Sequence, residues 1–131
     1  MTFCQLFIKK QKYYKMSEVK SESEINIRVG LDEDKIPVRL TWKAPGNPGN
    51  EEDQECKAIL LSLFDKNSKE TLKIDLWTKD MQVVEMDRFI FQTLRALADT
   101  YYKATHNNEL ASAMQEFINY FGEKTEIIPN K

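Results

Sequence analysis

The stretch ECKAILLSLFDKNSKETLKIDLWT, residues 55–78, decides the fold. Its first half sets Ile59, Leu61 and Leu63 against Ala58, Leu60, Ser62 and Phe64. Its second half sets Leu72, Ile74 and Leu76 against Thr71, Lys73, Asp75 and Trp77. Alternation with a period of two marks strands whose side chains leave on opposite faces. Lys66-Asn67-Ser68-Lys69 is polar and turn-forming, so residues 55–65 and 70–78 read as a hairpin. If those four residues close the turn, Leu63 pairs with Leu72, Leu61 with Ile74 and Ile59 with Leu76. A one-residue slip would expose one strand's apolar set, which specifies the register strongly. The opposite face is mixed, with Leu60, Phe64 and Trp77 beside Lys73 and Asp75.

Upstream, the same pattern appears earlier in the chain. Ile25, Ile27, Val29 and Leu31 alternate with polar residues, as do Ile36, Val38, Leu40 and Trp42, with Asp32-Glu33-Asp34-Lys35 between them. A four-residue turn pairs Leu31 with Ile36, Val29 with Val38, Ile27 with Leu40 and Ile25 with Trp42, and leaves Asn26, Arg28, Arg39 and Thr41 on a wet face. Pro37 lacks a ladder donor and marks an edge strand or a bulge. Residues 43–53, KAPGNPGNEED, carry Pro and Gly breakers without periodicity and read as a mobile surface loop.

Downstream, the period becomes helical over residues 83–105. Glu85, Arg88, Gln92, Arg95, Asp99, Lys103 and His106 form a polar stripe. Val83, Met86, Ile90, Leu94, Leu97 and Tyr101 lie opposite, with Phe89, Phe91 and Tyr102 on the flanks. So wide an apolar arc predicts contact with both a sheet and a second helix. Asn107 and Asn108 end this helix and cap the next, whose narrower stripe is Leu110, Ala111, Met114, Phe117, Ile118 and Phe121, ending near Gly122. The order ββββαα predicts an α+β two-layer sandwich: a four-stranded antiparallel sheet, with both helices on the apolar face that the hairpins share.

The chain has 131 residues and a mass of 15.4 kDa, room for one domain. Residues 1–20 read as an N-terminal extension, 21–125 as the domain and 126–131 as a tail. Residues 1–15 hold Lys9, Lys10, Lys12 and Lys15 and no acid, and the charge pattern changes at Met16, which reads as the true start. With no secretory pattern, the expectation is a cytoplasmic protein without stable membrane insertion. A net charge of −2 argues against nucleic-acid binding. Two cysteines and one histidine leave little for a disulfide framework, a metal site or imidazole catalysis.

The remaining chemistry is sparse. Asp32-Glu33-Asp34 and Glu51-Glu52-Asp53 lack the spacing of a calcium loop and read as solvated turns. Cys56 has no partner at metal spacing, and Tyr101-Tyr102-Lys103 has the wrong spacing for a catalytic tyrosine–lysine pair. The expectation is no enzyme, no catalytic residue, no metal and no cofactor. Leu60, Phe64 and Trp77 stand apart as an apolar cluster on the face the helices are not expected to cover. Two readings stand: a surface for a protein partner or a second copy, as in a homodimer, or a patch covered by the long loop or the N-terminal segment. Arg88, Arg95 and Asp99 on the polar stripe form the secondary contact candidate.

The strings LDEDKIP, IDLWTKDM and QTL…ADT…AT, set within SEINIRVGLDEDKIPVRLTW, KAILLSLFDKNSKETLKIDLWTKDM and VVEMDRFIFQTLRALADTYYKAT, resemble the gliding motility-associated GldC family of the Bacteroidetes. The resemblance spans about residues 21–124, and members typically begin near the position of Met16. It implies a small cytoplasmic protein linked to gliding and secretion machinery, and it carries over no catalytic residue. The expectation is a non-catalytic accessory or adaptor protein. The alternative is a small-molecule-binding domain or unrecognised enzyme with a pocket between sheet and helices.

Overall fold

The computed structural model describes residues 17–45 and 52–129. The elements are β1 (Asn26–Leu31), β2 (Pro37–Lys43), β3 (Gln54–Cys56), β4 (Ala58–Phe64), β5 (Thr71–Trp77), α1 (Val83–Thr105) and α2 (Asn108–Lys124). Residues 1–16 and most of the Pro/Gly-rich loop lie outside the described residues.

The α+β class and antiparallel pairing are as expected, but the single four-stranded sheet is not formed. Strands β1-β2-β3 make one sheet and β4-β5 a second. The strand read over 55–65 breaks at Lys57, between β3 and β4. The cause lies in its neighbour. β2 pairs with β3 as far as Leu40 opposite Cys56. Beyond that point Val38 is the extra residue of a bulge, and Pro37 has no N–H to give. The Lys57 carbonyl instead accepts from the Thr78 N–H at 2.8 Å, and the Pro37 carbonyl from the Lys79 N–H at 3.1 Å.

The β4–β5 register is as expected, with Leu63 opposite Leu72, Leu61 opposite Ile74 and Ile59 opposite Leu76. In the first hairpin the pairing is shifted by two residues, so that Val29 faces Leu40 and Ile27 faces Trp42. The turn explains the shift. The Asp32 N–H bonds the Ile36 carbonyl at 3.0 Å and Lys35 adopts φ 61°, so Ile36 closes the turn instead of opening the strand. Asp32 Oδ1 also accepts from the N–H groups of Asp34 and Ile36. From Asn26 to Gly30 the even shift keeps each side chain on its expected face; at the bulge the shift is one, and Leu31 lies opposite Pro37. Leu40 is wholly buried; Thr41, expected on the wet face, is buried too.

Helix α1 spans the residues its periodicity predicts. Glu85 Oε1 accepts from the Gln82 N–H at 3.0 Å at its start, and His106 ends it in the left-handed region at φ 55°. Asn107 Oδ1 accepts from the Leu110 N–H and caps α2. The helices pack on each other around Phe91, Ala98 and Ile118, with Leu94, Met114, Phe121, Ile127 and Ile128 around them. Phe91, placed on the flank of the wheel, is therefore core, whereas Leu97 in mid-arc is exposed. The arc divides between two neighbours: Phe91 and Ala98 turn to α2, Phe89 and Thr93 to the sheet.

Residues 126–129, read as a tail, fold back. The Ile128 N–H bonds the Gly122 carbonyl at 3.0 Å. A Cβ on Gly122 would lie 2.6 Å from Ile128 Cδ1 and 2.8 Å from Phe91 Cε2, so this close approach requires glycine.

The expected helical cover over both hairpins is incomplete. Leu63, Leu72 and Ile74, on the face the helices were expected to bury, are exposed. Because the second hairpin leaves the first sheet at Lys57, α1 meets it near that junction, where Lys57 Nζ pairs with Glu85 Oε2 at 3.0 Å.

Candidate contact surface

The β4–β5 register puts Leu60, Phe64 and Trp77 on one face, opposite Asp75, Thr71 and Ala58 respectively. Side chains on that face follow strictly from the pleat. Their exposures are 37%, 67% and 51%. Lys73 and Asp75, 3.9 Å apart, supply the polar neighbours. The two segments named as the alternative cover for this patch, the N-terminal extension and the centre of the long loop, fall outside the described residues.

Leu60 also lines an open groove of about 430 Å³ with Ile27, Trp42, Cys56, Phe89 and Thr93, where α1 approaches both sheets. Cys56 follows from β3 pairing: opposite Leu40, it shares that residue's side of the sheet. Burial, the largest effect, pushes its thiol above the ordinary range. The groove lining includes no Asp, Glu, Lys, Arg or His.

The secondary candidates are partly brought together. Arg88 and Arg95 line one groove of about 520 Å³ between the helices, with Gln92, Gln115 and Asn119. The Arg95 guanidinium lies 5.8 Å from the Phe91 ring centroid. Asp99 lies apart, in a neighbouring groove with Arg95 and Tyr102, and pairs with Lys103 at 3.0 Å.

Sequence reading missed another apolar groove, about 430 Å³, lined by Leu94, Tyr101, Leu110, Met114, Phe117 and Ile118. The signal was present in Leu110, Met114 and Phe117, which recur at i, i+4 and i+7 within the second helix's stripe.

The charged groups act as clamps between elements. Lys79 Nζ reaches Asp32 Oδ2 at 2.8 Å, tying the segment after β5 to the first turn. Lys79, followed by the Ile36 N–H, holds the Asp32 carboxyl below its ordinary range. The Gln82 N–H, then Lys57, does the same for Glu85, and the Thr78 hydroxyl for Asp80. Among the described residues no group of three His, Cys, Asp or Glu side chains could hold a metal ion, and no helix is long and apolar enough to cross a membrane.

Compared with known families, residues 37–127 match the model described as gliding motility-associated protein GldC-like. The chain belongs to the GldC-like family. No curated protein and no solved structure matches it. The GldC-like match runs from the start of β2 to the returning residue Ile127, so it contains both candidate surfaces and the whole helical hairpin.

Proposed function

We propose that this GldC-like chain is a non-catalytic accessory protein of gliding motility, working in the cytoplasm by contact with another protein. The observation that carries the reading is the exposure of Phe64 and Trp77 on one face of a two-stranded sheet. Large aromatics are costly to leave in water, and burying each at an interface contributes about 1.5–3 kcal/mol. The free thiol of Cys56 accords with a reducing compartment. The test is a pull-down from gliding cells with tagged protein. Phe64→Ser with Trp77→Ser should leave the far-ultraviolet spectrum unchanged and weaken capture at least tenfold. Unfolding of the double variant would mean that the chain itself covers these residues. Unchanged capture would move the contact to Arg88, Arg95 and Asp99.

A second reading, a small apolar ligand between α1 and the sheets, is favoured by the groove that pairs Trp42 with Phe89. It predicts a shift in Trp42 emission on titration with a fatty acid or a hydrophobic dye. Invariant emission in Trp77→Phe protein would remove it.

A further inference from the structure

We propose that two copies of this chain join along the outer edge of β4, the strands running antiparallel about a two-fold axis at Leu61. The bonds at both ends of the β4–β5 ladder show which groups are left over. The Asp65 N–H bonds the Glu70 carbonyl, and the Lys57 carbonyl accepts from the Thr78 N–H. Odd-numbered residues of this strand therefore turn their N–H and C=O groups toward β5. Those of Ala58, Leu60, Ser62 and Phe64 turn outward, and among the described residues no other strand pairs with them. The edge has no proline, bulge or charge from Ala58 to Phe64. Proteins rarely leave such an edge open, because it is a template for another strand.

The sequence of the edge is complementary to itself in one register. With Leu61 opposite the partner's Leu61, Ala58 faces the partner's Phe64 and Leu60 faces the partner's Ser62, large against small each time. On the other face Ile59 meets the partner's Leu63, and at each end Lys57 meets the partner's Asp65. Asp65 Oδ2 is engaged by the N–H groups of Asn67 and Ser68, and Lys57 Nζ by Glu85 at 3.0 Å, so this end pair is shared with contacts inside each copy and adds to the register without carrying it alone. A two-residue slide one way sets Lys57 against the partner's Leu63; the other way sets Ile59 against the partner's Asp65. Both lose the charge match. The full register instead extends each two-stranded sheet to four strands and makes one isologous interface.

This pairing runs along the edge of β4 and shares Leu60 and Phe64 with the face proposed for the motility partner, so the two readings are told apart by Ser62→Pro, which alters the edge alone, and by Trp77→Ser, which alters the face alone. Sedimentation velocity on the full chain should give twice the 15.4 kDa monomer mass. Ser62→Pro removes an outward N–H while sparing the β4–β5 bonds and should shift the protein to monomer, raising the dissociation constant at least tenfold. Leu61→Cys, with Cys4 and Cys56 replaced by Ser, should cross-link to a covalent dimer under mild oxidation. Opposed residues at a non-hydrogen-bonded site lie about 4.5 Å apart, within disulfide reach. If Ser62→Pro unfolds, the cross-link decides. A wild-type monomer at all concentrations, or a dimer in which Leu61→Cys does not cross-link, overturns the proposal. Monomeric Ser62→Pro that is still captured in the pull-down would separate the two readings.

Discussion

The two β-hairpins begin from nearly the same text and reach different environments. Each is two alternating apolar strands around a polar turn, and each turn places a lysine in the left-handed region, Lys35 at φ 61° and Lys69 at φ 62°. In each, an aspartate folds its carboxylate onto the turn: Asp32 on Asp34 and Ile36, Asp65 on Asn67 and Ser68. Yet the first hairpin acquires a third strand and buries Leu40 completely, whereas the second stays two-stranded with Leu72 61% exposed. Alternation chooses a strand's faces. The neighbour's free donors decide how long a sheet continues, and Pro37 with the Val38 bulge ends this one.

That contrast predicts its own largest effect. Leu40→Ala should cost about 2–5 kcal/mol in a urea melt, as emptying a closed core site does. Acid should act next and on both hairpins. Asp32 and Asp65 titrate below their ordinary value in the fold, held chiefly by Lys79 and by the Ser68 N–H respectively. A lowered folded pKa gives stability that is complete above the unfolded value of 3.8 and lost as pH falls through the folded one. Thermal midpoints should therefore hold to about pH 4.5 and fall below it, and Asp32→Asn should flatten part of that fall. Leu72→Ala should cost about 1 kcal/mol or less, because much of the side chain is already in water. A cost equal to that of Leu40→Ala would erase the contrast and show that Leu72 is covered in solution. Lys35→Gly and Lys69→Gly should each stabilise by a few tenths to about 1 kcal/mol by relieving the left-handed backbone. Unequal gains would mean that the turns are less alike than their dihedrals. Arg28→Ala should cost under about 0.5 kcal/mol, since its contact with Asp53 is a 3.9 Å exposed pair.

Much of this was legible wherever one local pattern decided the outcome. The β4–β5 register followed from a four-residue turn between two clean alternations, and α1 from a helical period that begins at Val83 and stops before Asn107. What escaped depended on long-range competition. Nothing within residues 54–64 announces a break at Lys57; its cause is Pro37, on another strand. The two-residue shift in the first hairpin came from Lys35 accepting a conformation usually reserved for glycine. Ile74, expected to be buried, is exposed because the helices are held at the Lys57–Glu85 junction. The contact residues were legible as a face, since parity places Leu60, Phe64 and Trp77 together. The groove beside them was expected only as a pocket between sheet and helices, without its lining residues, because those need α1 in place.

The chain's two tryptophans fall one to each sheet, Trp42 half-buried in the first and Trp77 exposed in the second. The molecule thus carries a separate optical label for each of its unequal halves. Emission from Trp42 should lie to the blue of that from Trp77, and an aqueous quencher should reach Trp77 first. One spectrum, resolved with Trp42→Phe and Trp77→Phe, would report events at the first sheet and at the second independently, without any added dye.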